Sequence, residues 1–218
     1  MRQHGGMTKV TKKEIAEAGL TGWTYLLGAL HTRIRTGDFA AGLALVNAIG
    51  AEAERIDHHP DIDLRYAHLD VRLVSHDVGA VTDRDIRLAR TIGRLAGEAG
   101  LTPGFAGLVR LELALDTPSP AGLRPFWAAV LGLREGEELT DGAGVLPSVW
   151  FQESGSSEPR QRWHPDVWLD PAEVQPRIDA ALAAGGTMDS DAEAPSFWVL
   201  ADPEGNRVCL CTWQQRDA

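Results

Sequence analysis

Lysine is nearly missing from this sequence. There are three, Lys9, Lys12 and Lys13, all within the first 13 residues. Acidic residues number 31 against 21 basic ones, so the formal charge is −10 at pH 7. The arginines are scattered. A duplex-binding surface needs clustered cations to neutralise phosphates, so nucleic acid is excluded as a direct ligand. Long apolar runs are also missing: no stretch approaches the ~18 apolar residues of a membrane span. Met1 to Met7 is polar and Gly-rich, without the apolar core of a secretory signal. The expectation is a cytoplasmic protein with a disordered lead and Met7 as an alternative start. Cysteine is confined to Cys209 and Cys211. On a strand the two would point the same way, about 6.5 Å apart, at the edge of what a disulfide can bridge. They read as core thiols, and nothing suggests an oxidising compartment.

Proline and tryptophan are scarce in the first half only. Pro60 and Pro103 are the only prolines before residue 104, and ten follow. Trp23 stands alone before the six tryptophans from Trp127 onward. Between the halves, Gly97-Glu-Ala-Gly-Leu-Thr-Pro-Gly104 has the composition of a short linker. Two domains are expected, 1–103 and 104–218. Hydrophobic residues at 44% and charged ones at 24% suit soluble globular folds.

In the first half, Thr11-Lys-Lys-Glu14 is a capping box that starts a short helix. Trp23 to Leu30 and His31 to Thr36 read as strands with a turn centred on Gly28. Asp38 caps a long helix with a stripe of Leu45, Ile49 and Ile56, widened by Phe39, Leu43 and Val46. It must stop before Pro60, because the residue preceding proline is pushed out of the α region. Ile62, Leu64 and Tyr66 alternate with charged residues as in a half-buried strand, and Leu69, Val71 and Leu73 continue the pattern. Thr82 to Asp85 opens a last helix with a stripe of Leu88, Ile92, Leu95 and Ala99. The order α-β-β-α-β-β-α predicts an α+β fold, a four-stranded antiparallel sheet covered on one face by helices.

The second half reads as a strand at Leu111, Leu113 and Leu115, a helix over 121–131, and a strand at 147–152. The order then repeats: a strand over 162–169, a helix over 171–184, and strands near 197–200 and 207–213. Asp170 caps the second helix, Pro171 takes its first position, and Leu169 can staple to Val174. The prediction is a pair of βαβββ-type modules in one domain.

Chemistry concentrates at His58-His59-Pro60, just after the long helix, and at His76, seventeen residues after His59. A hairpin could bring all three imidazoles to one rim, where an acid and a base could divide a proton transfer near neutrality. Spacing alone leaves another reading open: His58 closes a helix, His59 is exposed, and His76 merely follows a strand. Zinc is poorly supported there, since the half has no Cys and adjacent histidines point apart.

The segment Glu54-Arg-Ile-Asp-His-His-Pro-Asp-Ile-Asp-Leu-Arg-Tyr66, then His76 and Asp85, resembles the signature of the pterin-4a-carbinolamine dehydratases. Gly22-Trp23, Asp38-Phe39, Ser75-His76-Asp77 and Val81-Thr-Asp-Arg-Asp85 extend the likeness over residues 8 to 98. His68 and Leu69 depart from it, where the family more often has a basic residue and a Val. The resemblance implies dehydration of a 4a-hydroxy-tetrahydropterin to a quinonoid dihydropterin, with no metal or other cofactor. It implies catalytic roles for His58, His59 and His76, with His59 and His76 as acid and base and His58 holding the substrate. Glu54, Pro60, Tyr66, Arg84 and Asp85 are expected at the substrate; Arg84 and Asp85 have helix capping and a solvated charge as their alternative.

Residues 107 to 214 resemble the glyoxalase and bleomycin-resistance superfamily, through Leu113-Ala-Leu-Asp116, Phe126-Trp127, Leu131-Gly132, His164 to Asp170 and Asp202-Pro-Glu-Gly-Asn206. Metal-dependent members carry ligands at the positions of Val109, His164 and Cys209. Val109 has no donor atom and Cys209 replaces the usual carboxylate, so one good ligand, His164, is left and no metal is expected. The domain would then take an unknown small ligand or serve assembly. The partners implied are a small-molecule pterin and a homodimer or larger homo-oligomer. The rival readings are a protein-binding module, as in animal members of the first family, and a lyase or dioxygenase activity in the second domain.

Overall fold

The computed structural model describes residues 9–142, 144–155, 162–201, 205 and 207–216. The expected lead at Met1–Met7, and most of the Asp202–Asn206 motif, lie outside these residues. The chain divides into two compact units, Met1–Leu108 and Val109–Ala218.

The first unit runs α1 (Lys12–Glu17), β1 (Thr24–Leu26), β2 (Ala29–Arg35), α2 (Phe39–Ile56), β3 (Asp61–Arg65), β4 (His68–Leu73), α3 (Asp83–Glu98) and β5 (Pro103–Gly104). The sheet is antiparallel, in the order β1-β2-β4-β3, with β5 added against β2. Parity explains its two faces. Leu30, Ile34, Ile62, Leu64, Leu69, Val71 and Leu73 point to one side and pack with Ile15, Leu45, Ile49, Leu88 and Ile92 of the helices. The other side carries cross-strand ion pairs, Arg33 with Asp70 and Arg72 with Asp61.

Three sequence expectations need correction. The first hairpin turns at Leu27–Gly28, both at positive φ (45° and 76°), so β2 begins at Ala29 rather than His31. This is the two-residue turn whose twist matches the flanking strands. Phe39 and Leu43 are exposed at 47% and 44%; the buried stripe of α2 is Gly42, Leu45, Ile49 and Ala53. In α3, Ala96 rather than Ala99 closes the stripe, because the helix ends at Glu98. The added strand β5 was not anticipated. Gly22 permits it: a Cβ there would sit 2.2 Å from the Pro103 carbonyl oxygen.

The second unit comprises β6 (Arg110–Thr117), α4 (Pro120–Leu131), β7 (Ser148–Glu153), β8 (Trp163–Trp168), α5 (Pro171–Ala183), β9 (Thr187–Ser190), β10 (Phe197–Ala201) and β11 (Arg207–Cys211). They form one six-stranded sheet, β7-β6-β8-β11-β10-β9. β9 is a further strand that sequence patterning missed; its residues are largely exposed and carry no apolar alternation. Leu113, Val149, Phe151, Trp163, Val167, Val208 and Leu210 belong to the cores that contain Ala128 of α4 and Val174 and Ile178 of α5. The opposite parity gives a polar face: Glu112, Asp116, His164, Asp166 and Cys209.

Candidate active site

The end of α2 positions the first two histidines. Asp57 adopts the left-handed conformation (φ 51°, ψ 47°), which Asp tolerates better than most side chains. The His58 amide then donates back to Ala53 O (3.1 Å), and the Asp57 amide to Glu54 O (3.3 Å). This closure satisfies two of the helix's last carbonyls. It also turns His58 inward, to 5% exposure, and His59 outward.

The start of α3 supplies the partner. Thr82 caps the helix in a reciprocal box with Asp85. Asp85 is completely buried and accepts from Thr82 N (2.7 Å) and Ser75 Oγ (2.8 Å) on Oδ2. Its Oδ1 lies 2.8 Å from His58 Nε2. One carboxylate therefore joins the end of α2, the start of α3 and the loop after β4. Its two tethered neighbours, His58 and Ser75, directly precede His59 and His76.

His59 and His76 are exposed. His59 Nε2 lies 3.0 Å from Glu54 Oε1, and His76 Nε2 lies 3.7 Å from Asp61 Oδ1. Asp61 follows Pro60 and is held by Arg72 (2.6 Å). His76 thus stands beside the 58–61 segment. Arg84 pairs with Asp77, and its guanidinium holds that carboxyl below its usual value. The structure gathers His58, His59, Pro60, His76, Glu54, Arg84 and Asp85 around the ends of α2, β4 and α3. Tyr66 is not among them. It sits at the far end of β3 from Pro60, 75% exposed, in an open depression with Arg33, Arg65 and His68.

Ser75, Thr82 and Asp61 were missed from sequence. Thr82 and Asp85 announce a capping box, but nothing in the spacing says that its carboxylate also reaches a histidine 27 residues away. Outward parity at Asp61, next to Pro60, was the available signal for that residue.

The polar face of the second unit is a separate cluster. Glu112 accepts from Trp168 Nε1 (2.6 Å) and Ser148 Oγ (2.7 Å). Burial, and then the neighbouring Glu112, push Glu138 up to about 7. His164 lies between Asp116 (Nδ1 to Oδ1, 3.9 Å) and Asp166 (Nε2 to Oδ1, 3.5 Å). Burial raises the Asp166 carboxyl, and burial and then Asp166 push the Cys209 thiol up to about 12.

Comparison with known proteins separates the two units. Residues 8–95 match the family model for pterin 4 alpha carbinolamine dehydratase, and residues 112–211 that of a glyoxalase-like domain. A protein of Acidobacterium capsulatum named "Putative pterin-4-alpha-carbinolamine dehydratase" is 38% identical over 91 residues, 41% of this chain and 99% of its own. The solved transcriptional coactivator/pterin dehydratase of Brucella melitensis is 31% identical, with TM-score 0.40, covering 41% of this chain and all of that one. A glyoxalase/bleomycin resistance protein/dioxygenase superfamily member of Vibrio splendidus is 14% identical, with TM-score 0.33, over 48% of this chain and 99% of its own. Through its first unit the chain belongs to the pterin-4a-carbinolamine dehydratase family, and a glyoxalase-like domain follows.

Proposed function

We propose that the first unit dehydrates a 4a-hydroxy-tetrahydropterin by histidine acid/base catalysis, as a step of pterin cofactor recycling. The reaction needs two proton movements and no net oxidation. One group protonates the 4a-hydroxyl, which leaves as water. Another takes the proton from N5 as the C4a=N5 bond forms. His59 and His76 are the exposed pair suited to this exchange, with Glu54 and Asp61 facing their Nε2 atoms. An imidazole acid and an imidazole base can divide the two proton movements near neutral pH. His58 holds the substrate edge, oriented by Asp85, whose oxygens are engaged by His58, Ser75 and Thr82. Glu54, Pro60 and Arg84 shape the rim of the same pterin site.

The observation that carries this reading is the shared Asp85 carboxylate, which fixes the two segments bearing the exposed imidazoles. The test is dehydration of synthetic 4a-hydroxy-tetrahydropterin, followed by ultraviolet absorbance. His59→Ala and His76→Ala should each lower the rate by ~10²–10⁴-fold. The double variant should cost less than the product, because groups acting as a unit are not additive. Wild-type rates in both folded variants would remove the assignment.

The protein is further proposed to act in the cytoplasm as a homo-oligomer. Among the described residues no helix is long and apolar enough to cross a membrane, and both cysteines are free. Exposed Phe39 and Leu43, one turn apart on α2, support self-association. A monomeric mass by light scattering at micromolar concentration would refute it.

A further inference from the structure

The outer face of the first unit's sheet carries Arg–Asp pairs of two kinds. Arg33 grips Asp70 with two nitrogens, one to each carboxylate oxygen (2.7 and 2.6 Å). Arg65 reaches both oxygens of Asp63 through Nε (3.0 and 2.8 Å). Among the described residues, Arg72 instead holds Asp61 by one bond, Nη1 to Oδ2 (2.6 Å). Asp61 Oδ1 is left facing His76 Nε2 at 3.7 Å. The sheet sets this arrangement, because Asp61 and Arg72 are register partners on β3 and β4. Pro60, whose ring fixes its φ, joins Asp61 to His59. On the other side, the backbone of His76 is anchored through Ser75, whose hydroxyl reaches Asp85 and whose amide donates to Ala80 O. The His76 side chain itself is 64% exposed. An imidazole that open to water has several rotamers within reach, and ordering it costs entropy. The Asp61–Arg72 pair is also exposed, and water screens such pairs until they add little to folding. Stability therefore does not account for a carboxylate turned towards the histidine.

We propose that Asp61, pinned by Arg72, is the positioning residue of His76: it accepts from Nε2–H and so leaves Nδ1 as the atom that exchanges a proton with the pterin. The inference rests on the dehydration reading above. In a neutral imidazole one nitrogen carries the proton and the other accepts, and the hydrogen bond at one nitrogen sets the role of the other. A carboxylate accepts and does not donate, so Oδ1 beside Nε2 favours the Nε2–H tautomer. Nδ1 then takes the N5 proton, or, once protonated, gives its proton to the departing hydroxyl. In both directions the imidazolium form lies against a carboxylate, and the pair with Arg72 keeps that carboxylate from swinging away. The 3.7 Å separation is long for a hydrogen bond. Catalytic contacts of this kind are often loose without substrate and tighten when it binds. An ordinary surface ion pair between Asp61 and Arg72 is the competing explanation, and it predicts that any restored pair serves equally well.

The test uses the full-length chain in the absorbance assay, together with nitrogen NMR spectra of the histidine rings at a pH above the imidazole range. In Asp61→Asn the amide oxygen must serve Arg72, so the amide N–H turns to Nε2 and favours the Nδ1–H tautomer. Turnover should fall ~10-fold or more while KM changes less than ~3-fold, since a misplaced reacting group costs rate rather than binding. The His76 tautomer should move from Nε2–H to Nδ1–H, and the urea midpoint should stay where it was. The exchange Asp61→Arg/Arg72→Asp restores the ion pair but sets a guanidinium beside Nε2, and it should remain as slow as Asp61→Asn. Added to His76→Ala, Asp61→Asn should cost nothing further, because its effect passes through that ring. Wild-type turnover in Asp61→Asn or in the exchanged pair, an undiminished further loss on His76→Ala, or a wild-type ring in the Nδ1–H form would each overturn the inference. A slow His76→Ala beside a normal Asp61→Asn would sink this inference alone. Normal turnover in His76→Ala would sink it together with the dehydration reading. Should Asp61→Asn fail to fold, the tautomer of the wild-type ring decides.

Discussion

Replacing Asp85 by Ala and by Asn separates what its carboxylate does for the fold from what it does for His58. In Asp85→Ala, Thr82 N, Ser75 Oγ and His58 Nε2 lose their buried partner together. Each buried group left unsatisfied costs about 1–3 kcal/mol, and a lost helix cap costs about 1 kcal/mol. Ser75 Oγ can still turn to Thr82 Oγ1, 2.7 Å away, which spares part of the penalty. The net loss is therefore about 3–5 kcal/mol. Asp85→Asn keeps one acceptor oxygen for Thr82 and Ser75 and should lose only ~1–2 kcal/mol. It presents an N–H to His58, however, where a carboxylate oxygen stood. The tautomer or the ring orientation must change, and turnover should fall ~10-fold or more, because a small misplacement of a substrate-positioning group can cost up to ~10²-fold. Hydrogen exchange of peptides spanning α3 reads the stability of the first unit alone, and the absorbance assay reads turnover. A loss below about 1 kcal/mol in Asp85→Ala would refute the buried network. Wild-type turnover in Asp85→Asn would show that the orientation of His58 is immaterial.

Three other outcomes follow from the geometry. Glu138, held near 7 against an ordinary value of 4.5, binds its proton more tightly folded than unfolded. The second unit should therefore lose about 1–2 kcal/mol, after allowance for water screening of a half-buried group, as pH rises from about 4.5 to 7, and none beyond. Thermal melts across that range should show the slope, and Glu138→Gln should abolish it; an unchanged slope would point to another group. Gly22→Ala combines a strained positive φ of 77° with a collision against Pro103. It should cost ~2–4 kcal/mol in the first unit by urea denaturation, and a loss under about 1 kcal/mol would mean that β5 moves aside freely. Chelator treatment should leave the dehydration rate unchanged, since proton transfer between the imidazoles and the pterin needs no metal. A rate that falls with chelator and returns with zinc would contradict that mechanism.

Much of the fold was legible because two periodicities rarely conflict here. Alternation at Ile62–Leu64 and Leu69–Leu73 marks strands with one buried face, and the capping signals at Thr11, Asp38, Thr82 and Asp170 all mark real helix starts. Sequence patterning fails where conformation rather than polarity decides. Leu27 takes a positive φ that its side chain does not advertise, and β5 is too short to carry a pattern. Phe39 and Leu43 are apolar, but they lie off the buried stripe of α2, so hydrophobicity alone misplaces them. At the site, the histidine spacing was readable, while the connection of His58 to Asp85 depends on two helix ends meeting in space.

The two-residue strand β5 bears on where this chain can be cut. Arg33 and Ile34 use it to fill the part of the β2 edge that β1 leaves open. A fragment ending at residue 98 would expose those backbone groups as a docking rail for another chain, the usual route by which an open edge seeds aggregation. A fragment ending at residue 108 keeps the edge occupied. The segment joining the units is thus part of the first one's solubility, and a protease acting before Pro103 would release a stickier product than one acting after Gly107.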